Sequence, residues 1–236
     1  MRIAAVSDLH IGDRAHSDTF RHAEGDFLGW LDVLEAQHDT LVLLGDIYQT
    51  DHGPLPGPAS ARRALALARE RTERLSLRFA EPQYRWISGN HDPITHEVLG
   101  AARSLTFGEP GCRALFVHGD AYDPVIGRAP RLSAAGTWFT GQARAVGLRT
   151  VAEVLEDRDV TVKGRLHKGP AGPYGRAAQA LMAEQGVQVV VMGHTHIPVR
   201  LELPGGVLAN TGTCSRGRFM GVSVDTGTGE VRLLSR

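Results

Sequence analysis

Tyr84-Arg85-Trp86-Ile87, which leads through Ser88 into Gly89-Asn90-His91-Asp92 and Pro93, is the stretch around which the rest of the sequence can be organised. The short apolar run predicts a buried strand. The glycine and the proline that flank the polar residues predict a sharp turn where this strand ends. The strand therefore displays an amide, an imidazole and a carboxylate at its carboxyl end.

Four other apolar runs end in polar clusters in the same way. Continuous apolar runs of this length predict strands that are covered on both faces. In open sheets, ligands bind beyond the carboxyl ends of the strands, so we expect these clusters to form the functional site. The four clusters are Asp8-Leu9-His10, Gly45-Asp46, His118-Gly119-Asp120 and Gly193-His194-Thr195-His196.

The composition fits one domain with a substantial core, because the chain has 236 residues of which 42% are hydrophobic. A formal net charge of zero gives no basic field that would favour nucleic acid or an anionic membrane. Cys112 and Cys214 form no CxxC pattern, and we interpret them as buried thiols. No signal peptide and no apolar stretch of about 18 residues is found, so we expect a cytoplasmic protein without a membrane span.

Predicted helices at 26–37, 60–79 and 174–185 alternate with the strands, which indicates an α/β domain over residues 1–236. Residues 121–172 differ in character and form an insertion within it. They contain apolar residues such as Trp138 and the only two lysines of the chain, Lys163 and Lys168. We interpret the insertion as a cap over the site that selects the substrate. A peripheral helical hairpin and a dimer contact remain alternatives.

Imidazole and carboxylate side chains together suit divalent ions such as Mn, Fe and Zn. Side chains two residues apart in an extended segment point the same way, so each Asp-x-His or His-x-His pair would converge. A lone histidine or a Gly-Asp turn is more often structural, but five such clusters are difficult to explain by packing. The set suits two ions that share one carboxylate, for which Asp46 is the candidate, and it comprises Asp8, His10, Asp46, Asn90, His118, His194 and His196.

The order of these motifs, Asp-x-His, Gly-Asp, Gly-Asn-His-Asp, His-Gly-Asp and Gly-His-x-His, resembles the calcineurin-like metallophosphoesterase superfamily. The resemblance implies a four-layer αββα sandwich of two mixed β-sheets, of α/β (α+β) class, with a helical insertion. It also implies two divalent ions, manganese in the first place, with iron, zinc or nickel as alternatives. One ion would be held by Asp8, His10, Asp46 and His196, and the other by Asp46, Asn90, His118 and His194.

The same resemblance assigns catalysis to His91, which would face the leaving group, and to Asp92, which would orient it. Asn90 would also contact the substrate. Arg14, in the loop after the first motif, and the two lysines of the insertion are further candidates for substrate binding.

The expected reaction is hydrolysis of a phosphodiester or pyrophosphate bond by a hydroxide that bridges the two metals. A phosphomonoesterase on the same site and a non-catalytic metal-binding scaffold are the alternatives. The chain size and the insertion are similar to those of the UDP-diacylglucosamine pyrophosphatases, although Ala121-Tyr122-Asp123-Pro124 replaces the paired acids expected there. A small phosphorylated substrate, nucleotide- or lipid-linked, is therefore favoured over nucleic acid, and a homodimer is left open.

Overall fold

The computed structural model describes residues 1–13, 18–128, 130–167 and 169–236. Within these ranges the chain forms ten strands. They are β1 (Arg2–Val6), β2 (Thr40–Leu44), β3 (Tyr84–Ile87), β4 (Ser104–Phe107), β5 (Ala114–Val117), β6 (Val189–Met192), β7 (Pro198–Leu203), β8 (Gly206–Thr211), β9 (Met220–Asp225) and β10 (Glu230–Ser235).

Eight α-helices lie in the same described ranges. They are α1 (Glu24–Gln37), α2 (Pro58–Arg71), α3 (Glu73–Arg78), α4 (Ile94–Val98), α5 (Pro124–Arg128), α6 (Pro130–Ala145), α7 (Arg149–Lys163) and α8 (Pro173–Gln185). Among the described residues, no helix combines the length and the apolar character that a membrane span requires.

Two details differ from the sequence-based expectation. The single helix expected over 60–79 is broken at Thr72, whose φ of −118° and ψ of 55° are not helical. This break separates α2 from α3, and both helices still bury apolar residues, Leu65 from α2 and Leu75 from α3. Strand β4 was not predicted because it is a four-residue edge strand with no fully buried position.

The strands form two mixed five-stranded sheets with the orders β10-β9-β1-β2-β3 and β4-β5-β6-β8-β7. In the first sheet β1, β2 and β3 are parallel to one another. In the second sheet β5, β6 and β8 are parallel. Helical crossovers link parallel neighbours, with α1 between β1 and β2 and α8 between β5 and β6.

Three hydrophobic clusters define the layers of the fold. The strand faces that point between the sheets form one cluster, with Val42 from the first sheet and Phe116 from the second. The other face of the first sheet packs against α1, α2 and α3, for example through Phe27. The other face of the second sheet packs against α8 through Tyr174. The architecture is therefore the four-layer αββα sandwich of two mixed sheets.

This topology brings the polar clusters to one edge of the sandwich. The clusters that follow β1, β2 and β3 leave the first sheet at its carboxyl edge, and those that follow β5 and β6 leave the second sheet. Contacts join the two sets across the sheets: Asp46 Oδ2 lies 3.1 Å from His118 Nε2, and Asp8 Oδ1 lies 3.2 Å from His196 Nε2.

Candidate metal centre and its cavity

Most of the predicted ligands have an unusual backbone conformation. Left-handed φ values are uncommon outside glycine, and they concentrate at functional sites where the surrounding structure maintains them. Asp8 and His10 converge as expected, but through left-handed turns and not through the extended backbone that the sequence argument assumed. His194 and His196 do not converge on one point, because each belongs to a different group of ligand atoms. The five residues are Asp8 (φ 55°), His10 (51°), Asp46 (53°), His194 (69°) and His196 (60°).

Asp8, His10 and His196 form the first group of ligand atoms, which all lie within 4.8 Å of one another. His10 Nε2 lies 3.2 Å from His196 Nε2, so two imidazole nitrogens point at one region of space. The other carboxylate oxygen of Asp8 accepts hydrogen bonds from Ser7 Oγ and from the backbone N–H of His194. These bonds fix the carboxylate and leave Oδ1 directed at the histidines.

Asp46, His118 and His194 form the second group, again with ligand atoms within 4.8 Å. Asp46 also belongs to a group with His10 and His91, so it lies between the two sets of histidines. Its Oδ1 accepts a hydrogen bond of 2.7 Å from the backbone N–H of His91. Asp46 therefore occupies the position expected of a carboxylate that both halves share.

The polar atoms at the centre fit a bound cation. Within the described part of the chain, Asp8 Oδ1, Asn90 Oδ1 and His118 Nε2 are buried without a hydrogen bond. Buried polar atoms are normally satisfied, so such a concentration requires an explanation. Although burial lowers the pKa of His118, the carboxylates of Asp46 and Asp8 outweigh it and hold that pKa well above its ordinary value. The centre therefore favours positive charge.

Hydrogen bonds to the far side of two rings set their tautomers. His118 Nδ1 donates to the backbone oxygen of Leu44 at 2.8 Å, so Nε2 carries the lone pair when the ring is neutral. His10 Nδ1 donates to Gln49 Oε1 at 2.8 Å with the same result. Burial, followed by the charge of His91, lowers the pKa of His10 to about 3. Such bonds orient histidines for metal binding.

Glycine is required at two motif positions because the side chain of another site residue lies very close to each of them. A Cβ at Gly89 would lie 2.2 Å from Asp46 Oδ1, and a Cβ at Gly45 would lie 2.5 Å from His118 Nδ1. Any larger side chain would therefore displace a predicted ligand. This explains why glycine precedes the polar residue in both motifs.

Asp92 does not orient His91, so this sequence-based prediction is wrong. Both oxygens of the fully buried Asp92 accept backbone hydrogen bonds within the two neighbouring turns. Oδ1 accepts from Asp46 at 3.2 Å and Gly89 at 2.7 Å, and Oδ2 accepts from Ile47 at 2.8 Å and Tyr48 at 3.2 Å. A carboxylate with four backbone donors holds the turns after β2 and β3 together.

The carboxylate that contacts His91 is that of Asp51. Asp51 Oδ2 lies 3.0 Å from His91 Nδ1, and Gln49 Nε2 lies 2.8 Å from the same nitrogen. Burial disfavours a charged imidazole here, but Asp51 and then Asp46 outweigh it and raise the pKa of His91 to about 9. Sequence reasoning missed Asp51 and Gln49. Their signal was their place within five residues of the Gly45-Asp46 turn.

A cavity of about 620 Å³ opens onto these residues. Its floor includes His10, Asp46, Asn90, His91 and His194, and the insertion covers it with Val125, Ile126, Thr140, Leu155, Val160 and Lys163. Residues of the insertion therefore line the same cavity as the predicted ligands.

Helix α6 of the insertion is docked on the loop after Asp51. Trp138 Nε1 and Gln142 Nε2 both donate to the backbone oxygen of Gly53, at 3.1 and 3.0 Å. A Cβ on Gly141 would lie 2.6 Å from the ring of His52, so helix and loop are in direct contact. The insertion thus touches the segment that holds His91.

The comparison with known families agrees with this arrangement. The family model described as calcineurin-like phosphoesterase matches residues 1–198, which is more than half of the chain. The chain belongs to the calcineurin-like phosphoesterases. The matched range contains every predicted ligand from Asp8 to His196.

Solved structures resemble this phosphoesterase over its whole length at low sequence identity. Vacuolar protein sorting 29 from Cryptosporidium parvum is 13% identical with a TM-score of 0.50, over 100% of this chain and 96% of that one. An archaeal phosphodiesterase is 14% identical with a TM-score of 0.47 over 100% of both chains. No curated protein gave a significant sequence match.

Of the four residues predicted to contact the substrate of this phosphoesterase, the structure describes two. Asn90 and Lys163 line the cavity, whereas Arg14 and Lys168 lie outside the described residues. Burial is the main cause that lowers the pKa of His194 to about 4, and the charge of Lys163 is the second. Lys163 therefore brings a positive charge near the predicted ligand His194.

Asp123 is a further residue that the motifs did not reveal. Its Oδ2 lies 3.1 Å from His194 Nε2, and its Oδ1 accepts a hydrogen bond from the backbone N–H of Val125. It stands where the sequence departs from the paired acids expected after His118-Gly119-Asp120. This departure was the signal that the sequence offered. The carboxylate of Asp123 links the predicted ligand His194 to the first helix of the insertion.

Proposed function

We propose that the protein is a dinuclear-metal-dependent phosphoesterase that hydrolyses phosphodiester or pyrophosphate bonds. The observation that carries this proposal is the pair of neighbouring ligand groups, one with Asp8 and one with Asp46, which are connected because Asp46 also groups with His10. Buried atoms that make no hydrogen bond lie in both groups. Asp8, His10, Asp46 and His196 would hold one ion, and Asp46, Asn90, His118 and His194 the other. Manganese is the ion we expect first.

Two divalent ions bound there would lower the pKa of water and neutralise charge on phosphoryl oxygens. The chain itself supplies the groups around the reacting phosphate. Asn90 lines the cavity at the end of β3 and offers an amide N–H to a phosphoryl oxygen. Lys163 lines the same cavity and would neutralise charge on the substrate.

His91 is suited to protonate the leaving group. It lines the cavity, and Asp51 supports its charged form, so the imidazolium is available at neutral pH. General acid catalysis by such a group contributes about 10²–10⁴-fold to rate. In the imidazolium, the Nδ1–H donates to Asp51 Oδ2, which orients the ring and leaves the Nε2–H for the leaving oxygen.

The cavity favours a substrate with groups on both sides of the phosphorus. Its volume of about 620 Å³ falls within the range of about 300–1,000 Å³ that is usual for pockets that bind organic ligands. Val125, Ile126, Leu155 and Val160 give the roof an apolar character. A diester or a diphosphate with an organic group uses this space, whereas a small monoester leaves it unfilled.

The test is hydrolysis of bis-p-nitrophenyl phosphate beside p-nitrophenyl phosphate, with Mn²⁺ and then with chelator. Diester turnover that the chelator abolishes and Mn²⁺ restores is the expected result. Monoester turnover alone would assign the substrate to the phosphatases. Absence of turnover of both esters and of organic diphosphates, in protein that holds two ions per chain, would contradict the enzyme and favour a metal-binding scaffold.

A further inference from the structure

We propose that Asp123 is a positioning residue of the metal centre, which holds the ring of His194 so that Nδ1 is offered to the ion. This inference rests on the proposed function and deepens it, because the sequence motifs identify ligands but no residue that orients His194. Asp123 lies directly before α5, at the start of the insertion. The insertion would thereby take part in the metal centre.

The contact between the two side chains is a hydrogen bond of defined direction. Asp123 Oδ2 lies 3.1 Å from His194 Nε2. A carboxylate at neutral pH only accepts hydrogen bonds, so the proton of the neutral ring is on Nε2 and the lone pair is on Nδ1. Both residues are buried, with exposed fractions of 3% for Asp123 and 1% for His194, so water competes little for this bond.

Asp123 is placed beside the ligands and not among them. Asp46, His118 and His194 form a group whose ligand atoms lie within 4.8 Å of one another. Asp123 belongs to none of the groups of this kind that the described part of the chain contains. Its carboxylate therefore reaches one predicted ligand, which is the usual position of a residue that supports a metal-binding histidine.

His194 offers the opposite nitrogen from two other predicted ligands. His118 and His10 both donate from Nδ1 and offer Nε2 to the centre. His194 donates from Nε2 and offers Nδ1. Its backbone is already fixed, because its N–H donates to Asp8 Oδ2 at 3.1 Å and its φ of 69° is left-handed. The bond to Asp123 fixes the orientation of the ring.

Asp123 is itself held in place by its own turn. Its Oδ1 accepts a hydrogen bond of 2.8 Å from the backbone N–H of Val125. Its own N–H donates to the backbone oxygen of Asp120 at 3.1 Å. The segment after β5 therefore contributes one predicted ligand, His118, and positions a second, His194.

An amide at this position would reverse the tautomer of His194. In Asp123→Asn one oxygen replaces two, so the NH₂ group must face either the N–H of Val125 or Nε2 of His194. The backbone N–H can only donate, whereas Nε2 can accept once the proton moves to Nδ1. The amide therefore turns its oxygen to Val125 and its NH₂ to His194, and the proton then occupies the nitrogen that the ion needs.

Truncation of the side chain should be less harmful than this isosteric change. Asp123 lines the cavity, so in Asp123→Ala a water molecule can take the place of the carboxylate. Water donates or accepts as required, and it leaves the ring free to adopt either tautomer. The order of metal affinities, wild type above D123A and D123A above D123N, is therefore the signature of a positioning role.

The test titrates metal-free protein with Zn²⁺ by calorimetry, in competition with a chelator, and needs no turnover. Loss of a residue that supports a ligand costs about 10–100-fold in metal affinity. We expect D123A to bind the second ion about tenfold more weakly than the wild type, and D123N about a hundredfold more weakly, because only the amide enforces the wrong tautomer. The matched control is D32N, since Asp32 is an exposed partner of Arg78 and does not line the cavity.

A second measurement identifies the tautomer directly. Long-range proton–nitrogen correlation spectra of the imidazole rings show which nitrogen of each histidine carries the proton, and Zn²⁺ is suitable because it is diamagnetic. Comparison with His194→Gln identifies the signals of His194. We expect its proton on Nε2 in the wild type and on Nδ1 in D123N. A merely structural residue would change the thermal unfolding of the protein without moving this proton.

Two results would overturn the positioning role. One is a folded D123A protein that binds metal as weakly as D123N or more weakly, which is the order expected if Asp123 is a ligand itself. The other is a His194 proton on the same nitrogen in the wild type and in D123N. A wild type that binds fewer than two ions would instead contradict the proposed metal centre, and the tautomers in the metal-free proteins then decide the role of Asp123 separately.

Discussion

Asp51 Oδ2 lies 3.0 Å from His91 Nδ1, whereas Asp92, the next residue along the chain, directs both of its oxygens at backbone N–H groups. Two neighbouring acids of the site therefore have different roles. Asp51 controls the charge of the proposed general acid, and Asp92 maintains the turns that carry Asp46 and His91. A variant of Asp51 should therefore change the pH dependence of activity, whereas a variant of Asp92 should change the stability.

Asp51→Asn should shift the pH dependence of diester hydrolysis. Burial lowers the pKa of His91, and Asp51 is the largest cause that raises it, to about 9. If the imidazolium protonates the leaving group, activity falls as pH rises through the pKa of His91. Removal of the charge at Asp51 lowers that pKa, so the alkaline limb of the kcat profile should move to lower pH. If the alkaline limb does not move in a variant with normal metal content, Asp51 does not set the pKa of the group that protonates the leaving group.

Asp92→Asn should mainly reduce stability. Each oxygen of Asp92 accepts two backbone hydrogen bonds, so an amide NH₂ in either orientation faces two donors. Buried donors left without an acceptor cost about 1–3 kcal/mol each, so two of them give a loss of about 2–6 kcal/mol in the free energy of unfolding. Urea denaturation of both variants measures this difference. Equal stabilities of the Asp51→Asn and Asp92→Asn proteins would contradict the assigned roles.

His91→Ala should retain both metal ions and lose most of its kcat. The ring lies beside the predicted ligands, and its Nδ1 is engaged by Asp51, so we assign it to proton transfer. Loss of a general acid costs about 10²–10⁴-fold in rate. The metal content, by mass spectrometry, and the kcat on the diester are measured together. His38→Ala is the control, because the His38 ring bonds to the backbone oxygen of Leu34 and does not line the cavity. A variant that loses one ion would identify His91 as a ligand.

Gly141→Ala should disturb the docking of the insertion. The added Cβ would lie 2.6 Å from the ring of His52, and overpacking of this kind costs about 1–3 kcal/mol. We expect a rise in KM for the diester and unchanged metal content, since the ligands lie on other elements. Gly29→Ala in α1 is the matched control, because its Cβ would meet no atom within 4 Å and Gly29 does not line the cavity. Equal KM values in the two variants would show that the contact at His52 does not position the insertion for substrate.

The sequence by itself determined the fold and the type of chemistry. Each apolar run that ends in a polar cluster is a local pattern, and parallel strands bring their carboxyl ends to one edge of a sheet. This pattern was therefore sufficient to predict the seven residues proposed as ligands, and the sandwich followed from the resemblance of the motif order to the calcineurin-like superfamily. The reason for the motif glycines is not local, since Gly45 lies against His118 and Gly89 against Asp46.

Only the tertiary structure decided which side chains act on one another. Asp51 and His91 are 40 residues apart, and proximity in sequence favoured the wrong carboxylate, Asp92. The left-handed turns, the cavity-lining residues of the insertion and the hydrogen bond of Thr213 to the Asp8 turn likewise depend on packing between distant segments. A strand pattern specifies which residues reach the edge of a sheet, but the directions of their side chains depend on the contacts that surround them.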